Sequence, residues 1–193
     1  VTRELEDHAL MKRIARGDAG AFRELTDQHE KAITTYAHRL LWNQAEAEEL
    51  TQETFLRAWQ RASDYQPKAR ASTWLHRIVR NLAIDRLRQK KSRGDHFGLD
   101  DERDTAPESG RPSLLLSRKT TALSVQEAVA SLPERQRSAI SLCHEQGLSN
   151  PEIAEVLECS VDAVESLLSR GRRSLRTLME ERGLSPQSSG AKA

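Results

Sequence analysis

Residues 73–93 run TWLHRIVRNLAIDRLRQKKSR, with no glycine or proline and with apolar residues returning at helical spacing. At about 100° per residue, Leu75, Ile78, Val79 and Leu82 share one side, while Arg77, Arg80, Asn81, Arg88 and Lys91 gather on the other. Such a segment predicts an amphipathic helix with one packing face and one cationic face able to meet phosphates. Trp74 lies at the seam between the two, where its flat ring either stacks on a base or closes the core beside Leu75 and Trp59.

The same periodicity recurs along the chain and strand signals are nearly absent, which predicts an all-α fold. Leu10, Met11 and Ile14 predict a short first helix ended by Gly17, and Phe22 and Leu25 a second that begins after Asp18. Ile33, Tyr36, Ala37, Leu40 and Leu41 define a third. A fourth covers about residues 45–62 with Leu50, Phe55 and Trp59 as packing residues, and the basic helix is the fifth.

Residues 94–112, GDHFGLDDERDTAPESGRP, have Gly and Pro near their ends, an acidic middle and no periodicity, as expected of a flexible linker. Beyond it, residues 123–130, 133–146, 151–158 and about 161–182 predict four more helices, and residues 185–193 a disordered tail. The expected organisation is two small helical domains, 1–93 and 113–184, joined by the acidic linker.

The overall charge of +1 conceals an uneven distribution. Residues 1–93 carry 18 Lys/Arg against 13 Asp/Glu, residues 94–112 carry 2 against 6, and residues 113–193 carry 10 against 10. A basic N-terminal half and a neutral C-terminal half point to different partners. The two cysteines, Cys143 and Cys159, do not form a disulfide framework; a reducing cytoplasm suits them, and both are expected to pack as small apolar residues. Cys143, His144 and Cys159 lack the CxxC or HxxxH spacing of a metal site, so no metal or other cofactor is expected. No apolar stretch approaches the roughly 18 residues needed to cross a bilayer, and Glu4, Glu6 and Asp7 stand where a signal peptide would be basic and then apolar. Nothing resembles a catalytic triad, a phosphate loop or a paired-carboxylate site, which argues against an enzyme.

Two further patterns carry function. In LSNPEIAEVLECSVDAVESLLSRGRRSL, two helices flank the short turn Glu158-Cys159-Ser160, the spacing of a helix-turn-helix. Ser149 and Glu152 can close a capping box, and Ser160 can cap the second helix. Val164, Leu168, Gly171, Leu175 and Leu178 form its buried stripe. Asp162, Ser166, Ser169, Arg170 and Arg173 lie opposite, where short polar and cationic groups can reach base edges and phosphates. The fourth helix has the opposite character, with Glu46, Glu48, Glu49 and Glu53 crowded into its first half. The helix dipole accounts for acids in the first turn. It does not account for Glu53, and Gln52, Glu53 and Leu56 together would present a polar patch with an apolar centre to a basic protein partner.

Taken in order, AEAEELTQETFLRAWQRA, STWLHRIVRNLAIDRLRQKK and the C-terminal helix-turn-helix resemble an extracytoplasmic-function sigma factor of bacterial RNA polymerase. The resemblance implies binding to core RNA polymerase, recognition of promoter DNA and opening of the duplex, with control by an anti-sigma factor. It places Glu49, Gln52, Glu53 and Leu56 on the polymerase clamp helices. Tyr65, Trp74 and Asn81 match positions that capture an unstacked base of the minus-ten strand. Around that element Arg77, Arg80, Arg88, Lys90 and Lys91 would neutralise phosphates, while Asp85 would pair internally. Ser166, Ser169, Arg170 and Arg173 match positions facing the minus-thirty-five element. Members of the family usually place Gly, a cation and Arg where this chain has Asp162, Glu165 and Leu167, so its recognition surface is less basic. Two other readings remain open on the residues: a sigma-like mimic that sequesters an anti-sigma factor, and a conventional helix-turn-helix regulator.

Overall fold

A computed structural model describes residues 2–67, 69–92 and 125–181, so the linker 94–112 and the tail 185–193 fall outside it. Among the described residues every regular element is helical. Helix α1, Thr2–Ile14, turns at Gly17, whose φ of 86° lies in the left-handed region that a side chain would strain. Asp18 then caps α2. Its carboxylate accepts from the Ala21 N–H at 3.0 Å and from the Arg13 guanidinium at 2.9 Å, and these bonds hold its pKa below the ordinary value.

Helix α2 runs unbroken over Ala19–Leu41, where the sequence pattern predicts two helices. The polar stretch between Leu25 and Ile33 lacks apolar anchors but also lacks any Gly or Pro that would stop a helix. Thr26, Thr34 and Thr35 donate to the carbonyls of Phe22, Glu30 and Lys31 one turn back, so their hydroxyls are satisfied within the helix. Trp42 ends α2 in the left-handed region (φ 53°), and Asn43 caps α3, Gln44–Gln60, by accepting from the Glu46 N–H at 3.0 Å. A 3-10 turn, Ala62–Asp64, follows, and the basic helix α4 covers Ala71–Ser92.

In the C-terminal half, residues 125–130 are helical (α5), and residues 123–124 of the expected helix lie outside the described residues. Helix α6, Glu134–His144, is followed by Gly147 at φ 67°, and α7 covers Asn150–Leu157. The predicted capping box is present: the Glu152 carboxylate accepts from the Ser149 N–H at 2.8 Å and its hydroxyl at 2.6 Å. Glu158 adopts the left-handed conformation that turns the chain, and Ser160 accepts from the Ala163 N–H to start α8, Val161–Glu181.

Helix α2 is the hub, packed on α1, α3, α4 and α6. One core cluster joins Leu10, Met11 and Ile14 to Ala21 and Leu25. A larger one runs from Ile33, Tyr36 and Leu40 through Leu50, Leu75 and Val79 into Leu142, Ile153, Leu157 and Leu168, crossing from one half of the chain to the other. Burying each such aliphatic side chain contributes roughly 1.5–3 kcal/mol relative to exposure. The halves therefore meet directly, α6 on α2 and α7 on α4.

Gly171 lies where α8 crosses α6, and a Cβ there would come within 3.0 Å of the Ile140 Cγ1. Gly171→Leu is expected to destabilise the protein by about 1–3 kcal/mol through overpacking, measured as a lower urea midpoint with an unchanged slope.

Candidate nucleic-acid and polymerase interfaces

The faces of α4 divide largely as the sequence predicts. Leu75, Val79 and Leu82 are buried, Ile78 is half-buried, and Arg77, Asn81 and Arg88 are exposed. Arg88 lies 3.8 Å from Asp85, which is an internal ion-pair partner. Arg80 departs from expectation. It is 5% exposed, not on the open cationic face, and its guanidinium lies 3.6 Å from Glu134 on α6. Arg77 is open to solvent but bonds Glu158 at 3.0 Å. Lys90, expected at phosphates, bonds Glu46 of α3. The Lys91 side chain lies outside the described residues.

Trp74 and Tyr65 pack edge to face, with ring centroids 5.5 Å apart, and both lean half-buried on the cluster of α1 and α2. The Tyr65 hydroxyl donates to the Ala69 carbonyl at 2.8 Å. The His8 ring also lies against Tyr65, with centroids 5.7 Å apart, so packing within the chain accounts for part of both aromatic surfaces.

On α3, Gln52 is exposed, and Leu56 is 56% exposed although fully apolar. The carboxylates around them are less free than their crowding suggests. Arg86 of α4 reaches Glu49 at 3.1 Å and Glu53 at 3.8 Å, and Arg57 bonds Glu53 at 2.8 Å. Sequence reasoning missed Arg86, whose contribution depends on how α3 and α4 pack. On α8, Asp162, Ser166, Ser169, Arg170 and Arg173 are all exposed, as predicted, and Leu175 and Leu178 only half-buried. Leu167 belongs to the packed side, so it is no part of the recognition surface. Arg172 and Arg176 were not singled out by the spacing, yet they share a cleft with Asn150, Ser169 and Arg173. Cys143 and Cys159 are free and half-buried against the core.

The arrangement is that of two polymerase-associated modules in sequence. Residues 25–93 match the family Sigma-70 region 2, and residues 122–175 match Sigma-70, region 4. The ECF RNA polymerase sigma factor SigW of Bacillus subtilis is 33% identical over 186 residues, covering 89% of this chain and 95% of SigW. The chain belongs to the ECF sigma factors. The ECF RNA polymerase sigma factor SigE of Mycolicibacterium smegmatis is 37% identical over 166 residues, 84% of this chain, which spans 64% of that relative's length. Among solved structures, CnrH in complex with the cytosolic domain of CnrY superposes with a TM-score of 0.68 at 27% identity, over 91% of this chain and 98% of CnrH. The sigma factor RpoE in complex with the anti-sigma factor NepR, from Bartonella quintana, gives 0.65 at 25% identity, over 82% of this chain and 96% of RpoE.

In this ECF sigma factor the seam between the region 2 and region 4 halves is polar as well as apolar. Tyr36, fully buried on α2, shares a hydrogen bond with Ser138 of α6, and burial drives its phenol pKa well above the ordinary value. Arg137 donates to the Leu40 carbonyl at 3.4 Å. His76 of α4 is 2% exposed, and its Nδ1–H donates to the Ser72 carbonyl at 2.7 Å. Burial lowers the His76 pKa to about 4, because the charged ring cannot keep its hydration there. An unfolded histidine near 6.5 takes up a proton that the folded one refuses, so stability is lost as pH falls through 6.5 toward 4. The contribution is at most about 3 kcal/mol. His76→Gln is expected to flatten the fall of the melting midpoint between pH 6.5 and 4.5; an unaltered pH profile would exclude His76 as its source.

Proposed function

We propose that the chain is an initiation subunit, acting in the cytoplasm without catalytic chemistry or a cofactor, that binds core RNA polymerase, brings it to specific promoters and promotes duplex opening. The observation that carries this reading is the presence of both sigma regions in order on one helical framework. Domains 1–93 and 113–184 would hold the two functions. The exposed Leu56, flanked by Gln52 and by Glu49 and Glu53, suits docking on a basic surface with an apolar pocket. The exposed Asn81, two turns along α4 from the half-buried Trp74, suits capture of an unstacked base, whose extrusion costs a few kcal/mol that stacking and hydrogen bonds must offset. Ser166, Ser169, Arg170 and Arg173 line one exposed side of α8, suited to the minus-thirty-five groove. Control by an anti-sigma factor follows from the similar solved structures, CnrH with CnrY and RpoE with NepR.

Run-off transcription with purified core polymerase and a genomic promoter library tests the reading: promoter-specific transcripts are expected only when the chain is added, and none at all would sink it. Leu56→Arg should weaken core binding about tenfold or more at unchanged helix content, because Leu56 is 56% exposed and lies outside the buried core. Asn81→Ala should slow transcription from duplex promoters more than from a template carrying a pre-melted bubble. Equal losses on both templates would assign Asn81 to something other than strand capture.

A further inference from the structure

Glu49, Gln52, Glu53 and Leu56 stand at i, i+3, i+4 and i+7 along α3, so they share one face of that helix. Both carboxylates on this face are engaged by the chain itself. Arg86 of α4 lies against them: its Nη1 donates to Glu49 Oε2 at 3.1 Å and reaches the Glu46 carbonyl at 3.5 Å, while its Nη2 stands 3.8 Å from Glu53 Oε2. Arg57 donates to the other oxygen, Glu53 Oε1, at 2.8 Å. Both oxygens of Glu53 therefore face arginines of the same protein. One turn along α4 from Arg86, Lys90 bonds Glu46. Glu46, Glu49 and Glu53 thus meet Lys90, Arg86 and Arg57, three charges of each sign.

The exposure of these groups decides what the pairing does. The Glu49 side chain is 69% exposed and that of Arg86 only 27%, so the anion faces solvent while the cation lies beneath it, between the two helices. Pairs this open add little to stability. Their charge still reaches outward. Within a screening length of ~8–10 Å at ordinary salt, an approaching cationic surface feels the sum over the cluster and not a single carboxylate. With Arg86 in place that sum is near zero; without it the face carries a net negative charge. Arg86 touches α3 at three points, which holds its guanidinium and the two carboxylates in one arrangement.

We propose that Arg86 is a positioning residue that sets how strongly this sigma factor attracts core RNA polymerase: it fixes the Glu49 and Glu53 carboxylates on the docking face and, with Arg57, cancels most of their charge. A cation on the polymerase then enters beside Arg86 and shares a carboxylate with it, in place of meeting an unopposed anion. Recognition falls mainly to Leu56 and Gln52, whose contacts depend on fit and not on long-range attraction. Association is accordingly less salt-dependent, and slower, than the carboxylate content of α3 would give. The proposal rests on the reading of α3 as the polymerase-docking helix.

The test compares the full-length chain with Arg86→Gln, Arg86→Lys and Arg16→Gln for association with purified core polymerase, followed by stopped-flow fluorescence at low and high salt. Glutamine keeps a hydrogen-bond donor without the charge, and lysine keeps the charge. Arg16 is exposed in the turn between α1 and α2, takes no part in these ion pairs, and its substitution makes the same change in net charge. Arg86→Gln is expected to associate about threefold or more faster at low salt and to lose that advantage near 1 M salt, where the screening length is ~3 Å. Arg86→Lys and Arg16→Gln are expected to stay within about twofold of the unmodified chain. An unchanged or slower rate for Arg86→Gln, or an equal gain in Arg86→Lys or Arg16→Gln, overturns the proposal. If circular dichroism shows Arg86→Gln misfolded, Arg57→Gln, which removes the other cation from Glu53 at an exposed position, is read by the same criteria. An unmodified chain that fails to bind core overturns the docking reading and this proposal with it; one that binds while the variant gains nothing overturns the proposal alone.

Discussion

The fold depends on α2, and within α2 on the burial of Tyr36. Its ring is fully enclosed, packs near His76 with centroids 5.3 Å apart, and delivers a hydroxyl to Ser138 across the boundary between the two halves. A phenol placed there must be hydrogen-bonded, because an unpaired buried hydroxyl costs on the order of 1–3 kcal/mol. The cross-boundary bond is therefore part of what makes burial of Tyr36 tolerable. The same reasoning covers Arg137, which satisfies carbonyls of its own half at Ala130 and Leu132 while reaching Leu40 on α2.

Around that apolar and hydrogen-bonded centre lies a ring of arginines and glutamates. Arg70 and Arg77, together with Glu158, are about half exposed, whereas Arg80 is nearly enclosed. Exposed pairs contribute about 0–1 kcal/mol each and weaken with salt, so they adjust an equilibrium more than they fix it. The Arg80–Glu134 contact is different in kind. The Arg80 side chain is only 7% exposed against 28% for Glu134, so losing the Glu134 carboxylate would leave a nearly enclosed guanidinium without its counter-ion, which is costly.

Much of this was legible in the chain and some was not, for identifiable reasons. The α4 faces, the capping box at Ser149 and Glu152, the helix-turn-helix and the exposed side of α8 follow from spacing alone, because each depends on residues within a few turns of one another. The continuity of α2 was missed because the buried position in its polar middle is taken by His29, which lies 3.1 Å from Asp7 of α1, a partner that periodicity within α2 does not show. Arg80 was misplaced because its neighbour Glu134 lies on the far side of the linker in sequence, and helical position alone sets Arg80 beside Arg77. The pairing of Glu46, Glu49 and Glu53 with Lys90 and Arg86 was likewise a matter of how two helices cross.

The seam between the halves is of mixed character, and its parts contribute unequally. The aliphatic side chains that run from α2 and α4 into α6 and α7 leave water where the halves meet, and each contributes roughly 1.5–3 kcal/mol. The partly exposed pairs Arg70–Glu152 and Arg77–Glu158 contribute about 0–1 kcal/mol each, so they orient the two halves more than they bind them. The enclosed polar contacts, Tyr36 with Ser138 and Arg137 with Leu40, add direction to that apolar packing. Replacing one partner alone by an apolar side chain would leave the other buried without its hydrogen bond, at a cost of about 1–3 kcal/mol.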